Sequence, residues 1–385
     1  MKAHSKLPPS SAARRVACPG SRALEEQYPA SESAASIEGG LAHQYAAWVL
    51  QNRLGNAPTP FPDSWLGQVS DDMKRGADIY VEKIKNDTVG FYGFANIHIE
   101  ERLDISVIHS ECWGTPDAWF YDSQNKTVYL YDYKYGHRPV DPVENWQLIE
   151  YAAGIAQLCG MKVFPDSSWD GDDEITFHLI VVQPRDYFSA PIKSWAAGIK
   201  TLRRYWERLR AAEALAFQDV IQCQTSDSCL HCSARHVCPA LQKTTLNISE
   251  FVSLNTPQVA NANHLGSELK LLQRAASLLT ARITGLETEA LARFQQGENV
   301  PYFKIDRGRG KEVWDQTCEY VVGVGQLLGL ELQKPADLIT PNQARKLGFP
   351  ENVLQSLIKR IPGELKLMAD DGSQARKIFN KGVKP

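Results

Sequence analysis

Between Val128 and Tyr135 every second residue is a tyrosine, and the residues between them run Val128, Leu130, Asp132, Lys134. Such alternation has the period of a β-strand, with the tyrosines on one face and the other four residues on the opposite face. Val128 and Leu130 make that second face apolar and mark it for a core. Asp132 and Lys134 continue it, and a carboxylate and an ammonium at such positions are costly unless they pair or bind something. This strand therefore demands a sheet with a covered face and makes the end of that face either an ion pair or a site.

The surroundings fit a layered sheet. The polar link Asp122 to Lys126 reads as a turn joining Asp117–Tyr121 to Thr127–Lys134 in a hairpin. Ile97-His98-Ile99 alternates in the same way. Four consecutive apolar residues, Leu179 to Val182, suit a central strand covered on both faces. Helical patterns run from Ile37 to Leu54, Asp72 to Lys85, Val143 to Leu158 and Ile192 to Gln222. The order helix, three strands, helix, strand implies an α/β layer rather than a bundle. Residues 1–36 read as loop apart from a short helix around Cys18. The pattern changes after residue 245. Leu254-Asn255-Thr256-Pro257 is loop-like, and Gly266 to Phe294 is strongly helical, either packed on its own domain or forming a coiled-coil contact. With 385 residues, two parts are expected: residues 10–245 and a mainly helical region, 246–385.

Asp117 opens the hairpin and can lie beside Asp132. Two carboxylates held close repel each other, and a divalent cation resolves the repulsion. Oxygen ligands of this kind suit Mg²⁺ or Mn²⁺. Lys134 can then orient or activate a water for attack on a phosphodiester, with the metal acidifying that water. Gln147 and Tyr151 stand four apart on the next helix and project from one face. His43 lies off the Leu41/Tyr45/Trp48 stripe of the first helix, so it need not face the same core, and a neutral imidazole makes a third metal ligand. The bland alternative is a surface hairpin with an Asp–Lys pair and an ordinary helical histidine.

Taken in order, His43, Gly114-x-x-Asp117, Asp132-Tyr-Lys134 and Gln147-x-x-x-Tyr151 resemble the RecB-type branch of the PD-(D/E)XK nuclease superfamily. Cys18-Pro-Gly-Ser, Glu38-Gly-x-x-Ala-His43 and Lys304-x-x-x-Gly308-Arg-Gly with Trp314 are similar to an uncharacterised phage and prophage protein family assigned to it. The resemblance implies a restriction-endonuclease-like core, a mixed central sheet flanked by helices, within residues 10–245. It implies that His43, Asp117 and Asp132 hold the metal, with the Tyr133 backbone carbonyl as a further ligand and Lys134 catalytic. Gln147 and Tyr151 then contact DNA or support the site.

Eight cysteines are present, and four fall between 223 and 238. Cys229, Cys232 and Cys238 have the spacing C-x2-C-x5-C, which can turn around one soft metal centre. Cys223 would complete a local four-thiolate zinc site. Cys18, far upstream, would complete a site that also suits a [4Fe–4S] cluster. The nuclease resemblance favours the cluster, held by Cys18, Cys229, Cys232 and Cys238, with Cys223 a spare. It would clasp the two ends of the domain.

From Lys193 to Arg210 six basic residues face one acid, with Trp195, Tyr205 and Trp206 interleaved, a pattern that suits tracking of a single strand. The net charge of the whole chain, 42 − 45 = −3, requires any nucleic-acid surface to be local. No phosphate-binding Gly-x-x-x-x-Gly-Lys-Ser/Thr motif is present, so no ATP-driven helicase is expected. Neither a membrane span nor a secretory signal is apparent, which points to the reducing cytoplasm of a bacterial host. The expected function is metal-dependent DNA hydrolysis, exonucleolytic, in phage or prophage DNA processing or recombination, with a recombination or single-strand-binding protein as a candidate partner. A catalytically inactive DNA-binding module and a structure-specific endonuclease are the alternatives.

Overall fold

The computed structural model describes residues 5–30, 33–54, 59–88, 97–165, 172–186, 189–218, 221–251, 262–307, 310–332, 340–361 and 365–369. The expected loop at Leu254–Pro257 and the Gly308 motif lie outside these residues. Contacts divide the chain into two compact units, Met1–Arg282 and Ile283–Pro385.

The first unit opens with two short helices, α1 (Ala12–Ala17) and α2 (Ser21–Gln27), which flank Cys18. Helix α3 is Ala34–Leu54 and α4 is Asp71–Asp87. The Ser70 side chain accepts the Met73 N–H at 3.2 Å and caps α4, with Asp71 and Asp72 in its first turn. Short strands β1 (His98–Ile99), β2 (Leu103–Asp104) and β3 (Trp113–Gly114) precede β4 (Ala118–Asp122) and β5 (Thr127–Tyr133). Then come α5 (Trp146–Leu158), β6 (Thr176–Val182), β7 (Ile192–Gly198), α6 (Ile199–Ala216), α7 (Pro239–Phe251) and α8 (Ala262–Gln295).

Five strands form a mixed sheet in the order β1-β4-β5-β6-β7, so the architecture is α/β. The β4–β5 hairpin is antiparallel, with Asp122 opposite Thr127, and β5 runs parallel to β6 with Leu130 opposite Leu179. The two faces of β5 enter different cores. Val128 and Leu130 pack with Leu148, Ile149 and Ala152 of α5 and with Leu202 and Trp206 of α6. Tyr131, Tyr133 and Tyr135 pack with Ala46 and Leu50 of α3 and with Tyr80 and Ile84 of α4. Burial of β6 on both faces follows from this layering.

One sequence expectation fails here. Ile192–Gly198 is not the start of a long helix but an antiparallel partner of β6, with Leu179 opposite Trp195. Its burial is weak and irregular, as suits an edge strand, so no period of two shows in the sequence. The helix begins only at Ile199 and buries Ile199, Leu202, Trp206 and Leu209 at helical spacing.

The second unit adds strands β8 (Phe303–Arg307) and β9 (Lys311–Trp314), helices α9 (Cys318–Leu327), α10 (Pro341–Lys346) and α11 (Glu351–Leu357), and strands β10 (Ile358–Ile361) and β11 (Leu365–Ala369). Strand β8 pairs with β11 and β9 with β10, both antiparallel. Its core gathers Val321, Leu332, Ala344, Phe349, Leu354 and Leu357. The alternations Phe303-Lys304-Ile305-Asp306 and Leu365-Lys366-Leu367 mark two of these strands, which the expectation of a mainly helical region passed over.

A candidate metal centre at the end of the central strand

Strand β5 delivers Asp132 at its end, on the face covered by α5. Asp132 is buried at 3% exposure, and its Oδ1 accepts from Lys134 Nζ at 2.9 Å. Lys134 Nζ also donates to Gln147 Oε1 at 3.0 Å. Gln147 stands at the start of α5 because the Asn145 side chain caps that helix, accepting the Gln147 and Leu148 N–H groups.

Asp117 immediately precedes β4. Its Oδ2 accepts the Tyr133 backbone N–H at 2.6 Å, and its Oδ1 lies 3.2 Å from His43 Nδ1 of α3. The His43 ring also meets the Tyr133 ring edge-on, with centroids 5.4 Å apart. Two pairs, Asp117 with His43 and Asp132 with Lys134, thus stand at the end of β5, joined through the backbone of Tyr133. At Tyr133 it is the backbone N–H that contacts Asp117. Tyr151 donates to the Thr115 carbonyl at 3.0 Å and braces the segment leading to Asp117.

The sequence reading missed Glu100. Pairing of Ile99 with Ala118 brings the next residue, Glu100, opposite Asp117, and the Glu100 N–H donates to the Asp117 carbonyl at 3.2 Å. Glu100 has φ 50°, a left-handed conformation uncommon outside glycine. One ligand atom each from His43, Glu100 and Asp117 lie within 4.8 Å of one another. Strand register created this group, and a two-residue strand leaves no readable register in a sequence.

Charges in the site perturb one another. Burial raises Asp132 above the usual carboxylate range, with Lys134 opposing and Asp117 adding to the effect. Burial would raise Asp117 as well, but His43, Lys134 and the Tyr133 N–H hold it below its ordinary value. Burial disfavours charged His43 and charged Lys134, yet the neighbouring carboxylates outweigh this and raise both. The Asp132 Oδ2 atom is buried with no hydrogen-bond partner among the described residues. A buried carboxylate oxygen left without a donor is one that a hard cation would satisfy. An open groove beside this group is lined by His43, Trp48, Trp65, Arg102, Trp113 and Asp117, with the Arg102 guanidinium 4.0 Å above the Trp113 ring.

The expected basic stripe needs correction. Lys193 belongs to β7 and bonds Asp186 at 2.7 Å. Lys200 and Arg203 both pair with Asp173, at 2.8 and 3.0 Å. Trp206 is fully buried and donates to the Ile149 carbonyl. Much of the charge counted along the sequence is neutralised within the fold, which one-dimensional spacing cannot show.

Cys18, Cys223, Cys229, Cys232 and Cys238 line one pocket. The Gln224 N–H points at Cys18 Sγ at 3.3 Å, and the Ser226 N–H at Cys229 Sγ at 3.4 Å. The N-terminal segment is held against these cysteines by Arg14, which bonds Glu25 at 2.8 Å and the His231 carbonyl at 3.1 Å. Deeper in, Arg15 bridges Glu150 of α5 and Glu213 of α6, at 3.0 and 2.7 Å, and all three are buried.

Fold and site together define an α/β protein whose mixed five-stranded sheet carries a histidine–carboxylate group at the end of its middle strand. No helix among the described residues is long and apolar enough to cross a membrane. Residues 4–374 match the family described as "Protein of unknown function (DUF2800)", and the chain belongs to that family.

Proposed function

We propose that this chain is a metal-dependent deoxyribonuclease with a RecB-type PD-(D/E)XK core, acting as an exonuclease in phage or prophage DNA processing or recombination. The observation that supports the reading is that the His43–Asp117 and Lys134–Asp132 pairs stand at one strand end, with a buried Asp132 oxygen that has no hydrogen-bond partner among the described residues. Mg²⁺ or Mn²⁺ would be held by His43, Asp117 and Asp132, with Glu100 added to the set. Such an ion neutralises phosphate charge and acidifies water. The Lys134 ammonium, anchored by Asp132 and Gln147, offers a hydrogen-bond donor to the attacking water or the scissile phosphate. Gln147 fixes that lysine, and Tyr151 fixes the Gly114–Asp117 segment. The groove of Trp48, Trp65, Arg102 and Trp113 suits bases stacking on aromatic rings.

Cys18, Cys229, Cys232 and Cys238 would hold a [4Fe–4S] cluster, with zinc as the alternative. Their gathering in one pocket and the N–H groups directed at two of the sulfurs support a thiolate-bound centre. Its role there is to clasp the N-terminal segment to the segment after α6.

The test is digestion of end-labelled linear DNA and closed circular DNA with Mn²⁺, using the full chain and Lys134→Ala. Metal-dependent release of nucleotides from linear DNA, lost in the variant, is expected. Cutting of the circle would replace the exonuclease by an endonuclease. Salt-sensitive binding without products, or normal cleavage by Lys134→Ala, would overturn the mechanism.

A further inference from the structure

The cysteine pocket holds five thiols, one more than a four-thiolate centre uses. The fifth, Cys223, sits beside the remote ligand of the reading above. Cys18 and Cys223 lie on segments stitched together on both sides: the Gly20 N–H donates to the Gln222 carbonyl at 3.0 Å, and the Gln224 N–H points at Cys18 Sγ. The close fit depends on Gly20, because a β-carbon there would stand 2.8 Å from the Gln222 carbonyl carbon. Cys223 packs against the buried cluster that contains Cys238, and it lines the same pocket as Cys18. The five sulfurs are not equivalent. Backbone N–H groups are directed at Cys18 and Cys229, as suits sulfurs that carry charge. Cys18, Cys232 and Cys238 are buried, and Cys223 and Cys229 are partly exposed.

We propose that Cys223 is a reserve ligand, which takes the place of Cys18 in the soft-metal centre when the Cys18 thiolate is lost from it. The inference rests on the thiolate-centre reading above. Its consequence is that the N-terminal segment can lose its hold without emptying the centre. Cys223 lies between the two contacts that tie its segment to that of Cys18, and it packs against the cluster holding Cys238, so the exchange needs only a local shift.

The experiment is anaerobic purification of the full chain as wild type, Cys18→Ser, Cys223→Ser and the double variant. Iron, sulfide and zinc are then measured per chain. Cys223→Ser should retain the wild-type content, Cys18→Ser more than half of it, and the double variant less than a tenth. A Cys18→Ser protein as empty as the double variant overturns the proposal, as does loss of more than half the metal from Cys223→Ser. Should Cys18→Ser fail to fold, brief alkylation of loaded wild type followed by peptide mass spectrometry decides. Cys223 should react at least tenfold faster than Cys18, and the reverse order overturns the proposal. A wild type free of iron and zinc overturns the thiolate centre itself, whereas a loaded wild type with an empty Cys18→Ser overturns only the reserve role.

Discussion

The ring of Tyr151 lies so close to Gly114 that a β-carbon on the glycine would stand 2.7 Å from Tyr151 Cε1. Two motif residues far apart in sequence are therefore one packing unit. The glycine makes room for the ring, and the ring's hydroxyl holds the Thr115 carbonyl just ahead of Asp117.

Gly114→Ala should destabilise the protein by about 1–3 kcal/mol, the usual cost of overpacking. It should also weaken Mn²⁺ binding, because the displaced ring carries the Asp117 segment with it. Tyr151→Phe, which keeps the ring and loses only the hydrogen bond, should cost about 1 kcal/mol. Urea melts combined with Mn²⁺ titration check both, and an alanine variant with wild-type stability would refute the packing argument.

Mn²⁺ should raise the melting temperature of the wild type, since a ligand held at 100-fold its Kd adds about 2.7 kcal/mol to the folded state. Asp117→Asn removes a carboxylate of the histidine–carboxylate group, so its melting temperature should be nearly insensitive to the ion. Equal Mn²⁺ shifts in the two proteins would place the bound ion elsewhere.

Burial lifts the Glu150 carboxyl from 4.5 to about 7, with Arg15 opposing and Glu213 adding to the rise. One guanidinium faces two buried carboxylates, so the folded protein keeps a proton that the unfolded chain releases. Stability should therefore fall as pH rises from about 4.5 to about 7, by an order of 3 kcal/mol, and level off above that window. Glu150→Gln should flatten this slope. The comparison is of urea midpoints at pH 5 and pH 8 for both proteins, and parallel pH profiles would count against the assignment.

Removing the cation from the same triad is a harsher change. Arg15→Met leaves Glu150 and Glu213 buried without their partner and should cost about 3–5 kcal/mol. Because Arg15 lies three residues before Cys18, iron or zinc content should fall with it. Calorimetry and metal analysis on one preparation measure both, and a variant as stable as wild type would contradict the buried-triad account.

What could be read from the sequence tracks how locally each feature is encoded. Strand β5 was legible because its alternation is unbroken, and α4 because its helical pattern is contiguous. Asp117, Asp132, Lys134 and Gln147 could be singled out since their elements follow one another within a short stretch. Glu100 could not, because it reaches Asp117 only through the register of a two-residue strand. Strand β7 passed for helix because an edge strand needs no apolar alternation. Arg15 was invisible because its partners Glu150 and Glu213 lie on helices α5 and α6, and nothing in the opening segment distinguishes a buried arginine from a solvated one.

The anchoring of that opening segment has a bearing on how the chain is made. Arg15 finds Glu213 198 residues later, and Arg14 finds the His231 carbonyl 217 residues later. Arg14 and Arg15 are therefore made long before these partners, and their segment must wait for them while most of the first unit is translated. Pairings so distant in sequence slow folding and leave apolar surface uncovered in the interval. A chain cut short before residue 213 would leave Arg15 with Glu150 alone and Arg14 without the His231 carbonyl.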